Sequence, residues 1–241
     1  MILDALTPPE VAPAMTDAVD ELAQTLHDNF ADRALALTLF GAVTTPAFRA
    51  DAHTAKSVLV LNHVDLPALR HLADQGAKLG RLSLAAPLIM TPDYIRGSLD
   101  TFPLEFLEIM QRHVTVFGRD YFADLVLHEK EMRLQCEREL KVAGITLRQG
   151  LLASLGKENF IEHLERDLAE GLLRVLRGML WLKGERESRP GGQVVSRLES
   201  LVSHPLPGIR AALDDTNPAG WREFDLLYSD VDTLGKAVND W

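Results

Sequence analysis

One cysteine in 241 residues means that no disulfide within the chain can hold this fold, and Cys136 fits a reducing compartment. No apolar run approaches the roughly 20 residues of a membrane span. The opening MILDALTPPEVAPAMTD lacks the basic stretch and apolar core of an export signal, so a cytoplasmic protein that does not engage a membrane is expected. Positive charge is scarce as well: 25 Lys and Arg against 35 Asp and Glu leave a net charge of -10. Such a surface repels nucleic acid and anionic lipid at long range, which argues against DNA or RNA as partner while leaving room for a local basic pocket. Internal repeats and low-complexity tracts are absent.

Paired metal ligands are missing too. His113, His128 and His163 fall on different elements without the i, i+4 spacing that puts two ligands on one helical face, and His53 and His63 stand ten residues apart. All eight histidines read as surface or loop residues. Cys136 lies between Met132 and Leu140 on an apolar helical stripe, where a thiol packs as a small hydrophobe. What remains is ordinary globular material, 46% hydrophobic and 25% charged, enough for one large or two modest domains.

The first half alternates strand and helix patterns. Met15, Val19, Leu22, Leu26 and Phe30 recur at helical spacing. Ala34 to Phe40 and Lys56 to Leu61 read as strands, separated by a loop that begins at Gly41. Asp65 opens a helix with Pro67 in its first turn, ending at Gly76. Leu84 to Met90 reads as a third strand, Thr91-Pro92-Asp93 as a helix-opening cap, Phe102 to Met110 as a fourth strand and Val114 to Phe117 as a short fifth. From Tyr121 on the pattern is helical. One stripe runs Leu125, Met132, Cys136, Leu140, Ala143, Leu147; another runs Phe160, Leu164, Leu168, Leu172, Val175, Met179, with Gly171 and Gly178 as close-packing points. Gly191-Gly192 reads as a turn before a helix over Val194 to Val202, and Asn217-Pro218 as the opening of a last helix. The fold class expected is α+β, an α/β domain with a mixed sheet over 1–118 and an antiparallel helical bundle over 119–241.

Glu105 stands out as a site candidate. If Phe102, Leu104 and Phe106 cover one face of a strand and Leu107 and Ile109 the other, a carboxylate between them must be paired, metal-bound or at the sheet's end. Lys56 and Arg96 are the partners expected for a structural ion pair. On the helical side, Glu129-Arg133 and Glu137-Lys141 stand at i, i+4, as on a solvated helix face, and Arg133, Arg148 and Lys157 are the cations to inspect for ligand contacts.

This order of elements, with a Gly-led loop between the first two strands and an all-helical second half, resembles the nucleotidyltransferase superfamily, in particular its aminoglycoside-nucleotidyltransferase-like members. The segments SLDTFPLE (98–105) and FGRDYFADLVLHEKEMRLQCERELK (117–141) are similar to a group of nucleotidyltransferase-like proteins with a degenerate motif. The superfamily carries Gly-Ser after the first strand, Asp-x-Asp at the second and a third acid later, which hold two magnesium ions on the nucleotide. By that resemblance Gly41 takes the glycine position, Ala42 the serine, Ala55-Lys56-Ser57 the Asp-x-Asp, and Glu105 the third acid. The implied site is Glu105 as catalytic acid and Gly41, Lys56 and Ser57 against the nucleotide, with no metal-ligand set, unless Asp51 or His53 substitutes. One carboxylate cannot build a two-metal centre.

The resemblance therefore implies a degenerate nucleotidyltransferase-like protein with a cleft between domains for a nucleotide or small molecule. The alternative is an active enzyme acting on a small hydroxylated acceptor, with magnesium and ATP. A third reading is structural: Trp221, Leu226 and Tyr228 lie off the main stripe of the last helix, which ends in Trp241 and offers a homodimer surface.

Overall fold

The computed structural model describes residues 8, 10–46, 48–51, 53–214 and 220–241. Two compact units divide the chain, one of Met1–Leu99 and Glu108–Val126, the other of Asp100–Leu107 and Leu127–Trp241. The expected helix opening at Asn217-Pro218 lies outside the described residues.

In the first unit, α1 (Thr16–Phe30) forms because Val19, Leu22, Leu26 and Phe30 share a face, and all four are buried. Then come β1 (Ala34–Phe40), a 3-10 turn (Gly41–Thr44) and β2 (Lys56–Leu61). The Asp65 carboxylate accepts from the Ala68 N–H and pairs with Arg33, capping α2 (Leu66–Ala73). That helix ends three residues before Gly76, where a separate α3 (Gly76–Arg81) begins. β3 is only Leu88–Met90, because Pro87 has no N–H to give a ladder; Leu84 makes an isolated parallel bridge to Ala55. Thr91 caps α4 (Pro92–Gly97), its hydroxyl accepting from the Tyr94 N–H at 3.1 Å.

The segment expected as a fourth strand is instead α5 (Pro103–Gln111), followed by β4 (His113–Gly118). Five apolar residues in nine fit either period, but Pro103 in the first turn and the helix formers Leu, Glu, Met and Gln decide for helix. The sheet consequently has four strands rather than five, in the order β3-β2-β1-β4, with β1 antiparallel to both neighbours and β2 parallel to β3. Leu37, Leu39, Leu59 and Leu61 face α1 and join Val19, Leu22 and Leu26 in one apolar core. Each fully buried leucine contributes about 1.5–3 kcal/mol by burial. By strand alternation Thr38, Phe40, Lys56 and Val58 face the other side. Gly118, at φ +82°, closes the β1–β4 pairing: a Cβ there would lie 2.0 Å from the Leu35 carbonyl oxygen.

The second unit holds α6 (Glu129–Ala153), α7 (Asn159–Leu182), α8 (Gly191–Val202), α9 (Pro207–Ala212) and α10 (Trp221–Asn239). Residues 129–182 carry helix and no strand among those described. Gly178 lets α6 and α7 approach, since a Cβ on it would meet Leu104 Cδ2 at 2.3 Å and Cys136 Sγ at 2.8 Å. Gly171 does not do this, for nothing lies within 4 Å of its would-be Cβ. Gly150 against Leu164, together with Gly178 against Cys136, shows that α6 and α7 run antiparallel. Gly191-Gly192, expected as a turn, is the first turn of α8. Gly208 meets the α10 backbone, its would-be Cβ 2.1 Å from Leu227 N, and the buried Asp230 carboxylate accepts from the Ile209 N–H at 3.0 Å. Burial raises the Asp230 pKa against the opposing pull of the Ile209 and Gly208 amides.

Candidate functional site

At one end of the sheet, register places Lys56, Phe40 and His113 side by side across β2, β1 and β4. All three lie on the face turned away from α1. The chain leaves Phe40 through Gly41, whose φ of +77° favours glycine, and the Gly41 N–H donates to the Arg112 carbonyl at 3.0 Å. That bond ties the end of α5 to the turn after β1. Glu108, one helical turn before Arg112, then reaches the same spot: Lys56 Nζ stands 3.3 Å from its Oε1, and a Cβ at Gly41 would be 3.9 Å from that oxygen. Glu108 is mostly covered and Lys56 half open to solvent.

Behind this row, His113 Nδ1 is 3.0 Å from the Ile109 carbonyl oxygen and Nε2 is 3.0 Å from Asp120 Oδ2. Both ring nitrogens therefore meet acceptors, and the ring packs edge-on against Phe122. The expectation of surface or loop histidines fails here: His113 opens a strand and is 13% exposed. Asp120 also accepts from the Phe122 and Ala123 N–H groups, fixing the turn after β4. Burial pushes its pKa up, but those amides and His113 outweigh it and the net shift is downward.

Of the residues singled out in the sequence, Gly41 and Lys56 come together. Ser57 does not join them. It follows Lys56 on the strand, so its side chain points toward α1, where it is 2% exposed and its Oγ has no hydrogen-bond partner among the described residues. Ala55 lies on that same buried face. Glu105 is not a strand carboxylate. It occupies the first turn of α5 in the second unit, where Gln135 Nε2 donates to its Oε2 at 2.8 Å and Arg174 Nη1 stands 3.4 Å from its Oε1. Neither expected partner serves it, since Lys56 pairs with Glu108 and Arg96 with Asp93. Gln135 meanwhile accepts the Leu104 N–H at 2.8 Å, so Glu105 belongs to a network that anchors α5 to α6 and α7.

Asp51 and His53 do not supply missing acids. Arg49 hydrogen-bonds the exposed Asp51 carboxylate at 2.8 Å and lowers its pKa, and His53 Nδ1 turns back to the Arg49 carbonyl oxygen. Arg133 pairs with Glu137 at 2.9 Å, while Arg148 donates to the Tyr228 hydroxyl at 3.0 Å. Glu108 is the residue that sequence reasoning missed. Its place shows only once the segment is read as helix, which sets Glu108 one turn before Arg112 and so beside Gly41.

Magnesium demands near-octahedral oxygen ligation. Glu108 offers one carboxylate, already engaged by an ammonium. The β2 positions that share its face are Lys56, Val58 and Val60, a cation and two hydrocarbons, and among the described residues no three His, Cys, Asp or Glu side chains converge to hold an ion. The donor set does not fit a two-metal centre. What it provides is a half-exposed ammonium and a glycine turn at the end of a sheet.

No family model matches this chain, and no curated protein matches its sequence. Among solved structures it is similar to spectinomycin adenyltransferase AAD(9) from Enterococcus faecialis with ATP and spectinomycin: TM-score 0.61, 93% of this chain and 99% of that one covered, at 9% identity. The likeness shows the fold. This is an α+β, nucleotidyltransferase-like fold with a mixed four-stranded sheet and a helical C-terminal part.

Proposed function

We propose that this chain is a nucleotidyltransferase-like protein that binds a nucleotide or a similarly small anionic ligand through Gly41 and Lys56 without transferring a nucleotidyl group. One observation carries the reading: Lys56 meets Glu108 on the face where acids would have to gather a metal. An ammonium there offers a fixed positive charge to a phosphate, and Glu108 holds it in place until the anion competes for it. The similar adenyltransferase was solved with ATP, which supports a nucleotide as the first ligand to try. The reading is supported by the lack, among the described residues, of carboxylates placed to align two metal ions, on which the electrostatic stabilisation of phosphoryl transfer depends.

Calorimetry with ATP, with and without magnesium, tests binding; pyrophosphate release across a panel of hydroxylated acceptors tests turnover. Binding that is indifferent to magnesium, weakened about tenfold in Lys56→Ala, and accompanied by no pyrophosphate is the expected result. Pyrophosphate release by the wild-type chain that Glu108→Gln or Glu105→Gln abolishes would establish the active-transferase alternative instead.

A further inference from the structure

The helical unit contains a groove of about 470 Å³ between α6 and α10, within the range of small-molecule sites. The two helices run antiparallel along it, Arg148 lying opposite Tyr228 and Gly144 opposite Val231. Its walls are largely apolar, with Ile145 exposing hydrocarbon, Val231 buried at the base and two glycines withholding side chains. Gly235 is the informative one. Nothing lies within 4 Å of a Cβ built on it, so neither packing nor backbone geometry requires glycine there, four residues before the end of a 19-residue helix. The space it leaves belongs to the groove.

The charges along the groove are unequal. Lys141 is neutralised by Glu137 and Lys236 by Asp232, each within its own helix. Arg148 differs: its Nη1 donates to the neutral Tyr228 hydroxyl at 3.0 Å, its guanidinium lies 6.0 Å from the ring centroid, and among the described residues no carboxylate pairs with it. The phenol orients the guanidinium and leaves its charge uncompensated, with further N–H donors in a planar fork that suits a carboxylate. Lys141 and Arg148 are seven residues apart, about 10.5 Å along the helix.

We infer that this groove binds an aliphatic monocarboxylate, its head group on Arg148 and its hydrocarbon tail running past Gly144 and over Gly235. The site is separate from the Gly41–Lys56 turn and stands or falls independently of it.

Titration of the full chain with octanoate and with its neutral counterpart octanamide, both below micellar concentrations and followed by saturation-transfer NMR, tests the inference. Octanoate is expected to bind at least tenfold more tightly than octanamide. Arg148→Met, which keeps the apolar stem, should bring octanoate down to the level of the amide. Gly235→Leu should abolish binding of both while the thermal midpoint stays level or rises, because the new side chain enters open space. Equal binding of octanoate and octanamide by the wild type, or octanoate binding unchanged in Arg148→Met, overturns the assignment.

Discussion

Lys56 and Ser57 are chain neighbours on opposite faces of β2, the ammonium beside Glu108 and the hydroxyl in the hydrocarbon packed under α1. Burial therefore decides how Ser57 responds to substitution. Ser57→Ala removes a buried hydroxyl with no partner among the described residues and should be neutral or stabilising by up to about 1 kcal/mol. Ser57→Asp places a charge there and should cost more than about 3 kcal/mol without creating a metal site. Urea denaturation of both variants, with and without magnesium, measures this; a stable Ser57→Asp protein that magnesium stabilises further would contradict the assignment of faces.

Asp120 gives a pH signature. Its folded pKa is depressed, so its contribution is present above the ordinary carboxylate value near 4 and is lost as pH falls through the folded value. Stability from pH 5 to pH 2 should therefore fall less steeply in Asp120→Asn, which should also lose about 1–2 kcal/mol at pH 7 through the weakened His113 contact and turn. Parallel pH–stability curves for the two proteins would remove Asp120 from this role.

Glycines sort by what surrounds them. Gly118→Ala drives a Cβ into the Leu35 carbonyl at a left-handed φ and should cost more than about 2 kcal/mol. Gly171→Ala meets nothing and replaces a poor helix former, so a gain of up to about 1 kcal/mol is expected. Thermal unfolding by calorimetry should move in opposite directions for the pair; a shift of the same sign in both would show that these glycine environments are wrongly drawn.

Self-association was expected through the last helix, but there Trp221, Leu226 and Tyr228 are only partly exposed, Trp221 packing against Phe224. The more exposed apolar residues of the helical unit are Leu152, Leu155 and Phe160, and a self-association surface is placed on them instead. Light scattering at rising concentration should show a mass that grows toward the dimer and falls back when Leu152 and Leu155 are both changed to Glu. A constant monomer mass at high concentration would rule this out.

The parts of the fold legible in sequence were those with a single period. β1 and β2 end where the apolar runs end, and α6 and α7 follow unbroken stripes. α5 was not legible, because LEFLEIM satisfies two periods at once and only Pro103 and the residue preferences tip it to helix. The site suffered from the same ambiguity. Read as strand, the segment puts forward Glu105; read as helix, it sends Glu105 to Gln135 and Arg174 and brings Glu108 to Lys56. Which face Ser57 takes depends on how β2 pairs and packs, and a linear spacing does not contain that information.

The brevity of β3 has a consequence for how the protein behaves in a crowded solution. A strand edge recruits stray chains by offering them a row of open amides and carbonyls, and here one rim of the sheet presents only Leu88–Met90, with Pro87 immediately before it. A foreign strand arriving there finds too little ladder to grip, and the net charge of -10 discourages its approach. Fibrous aggregation seeded from that rim is disfavoured at the outset.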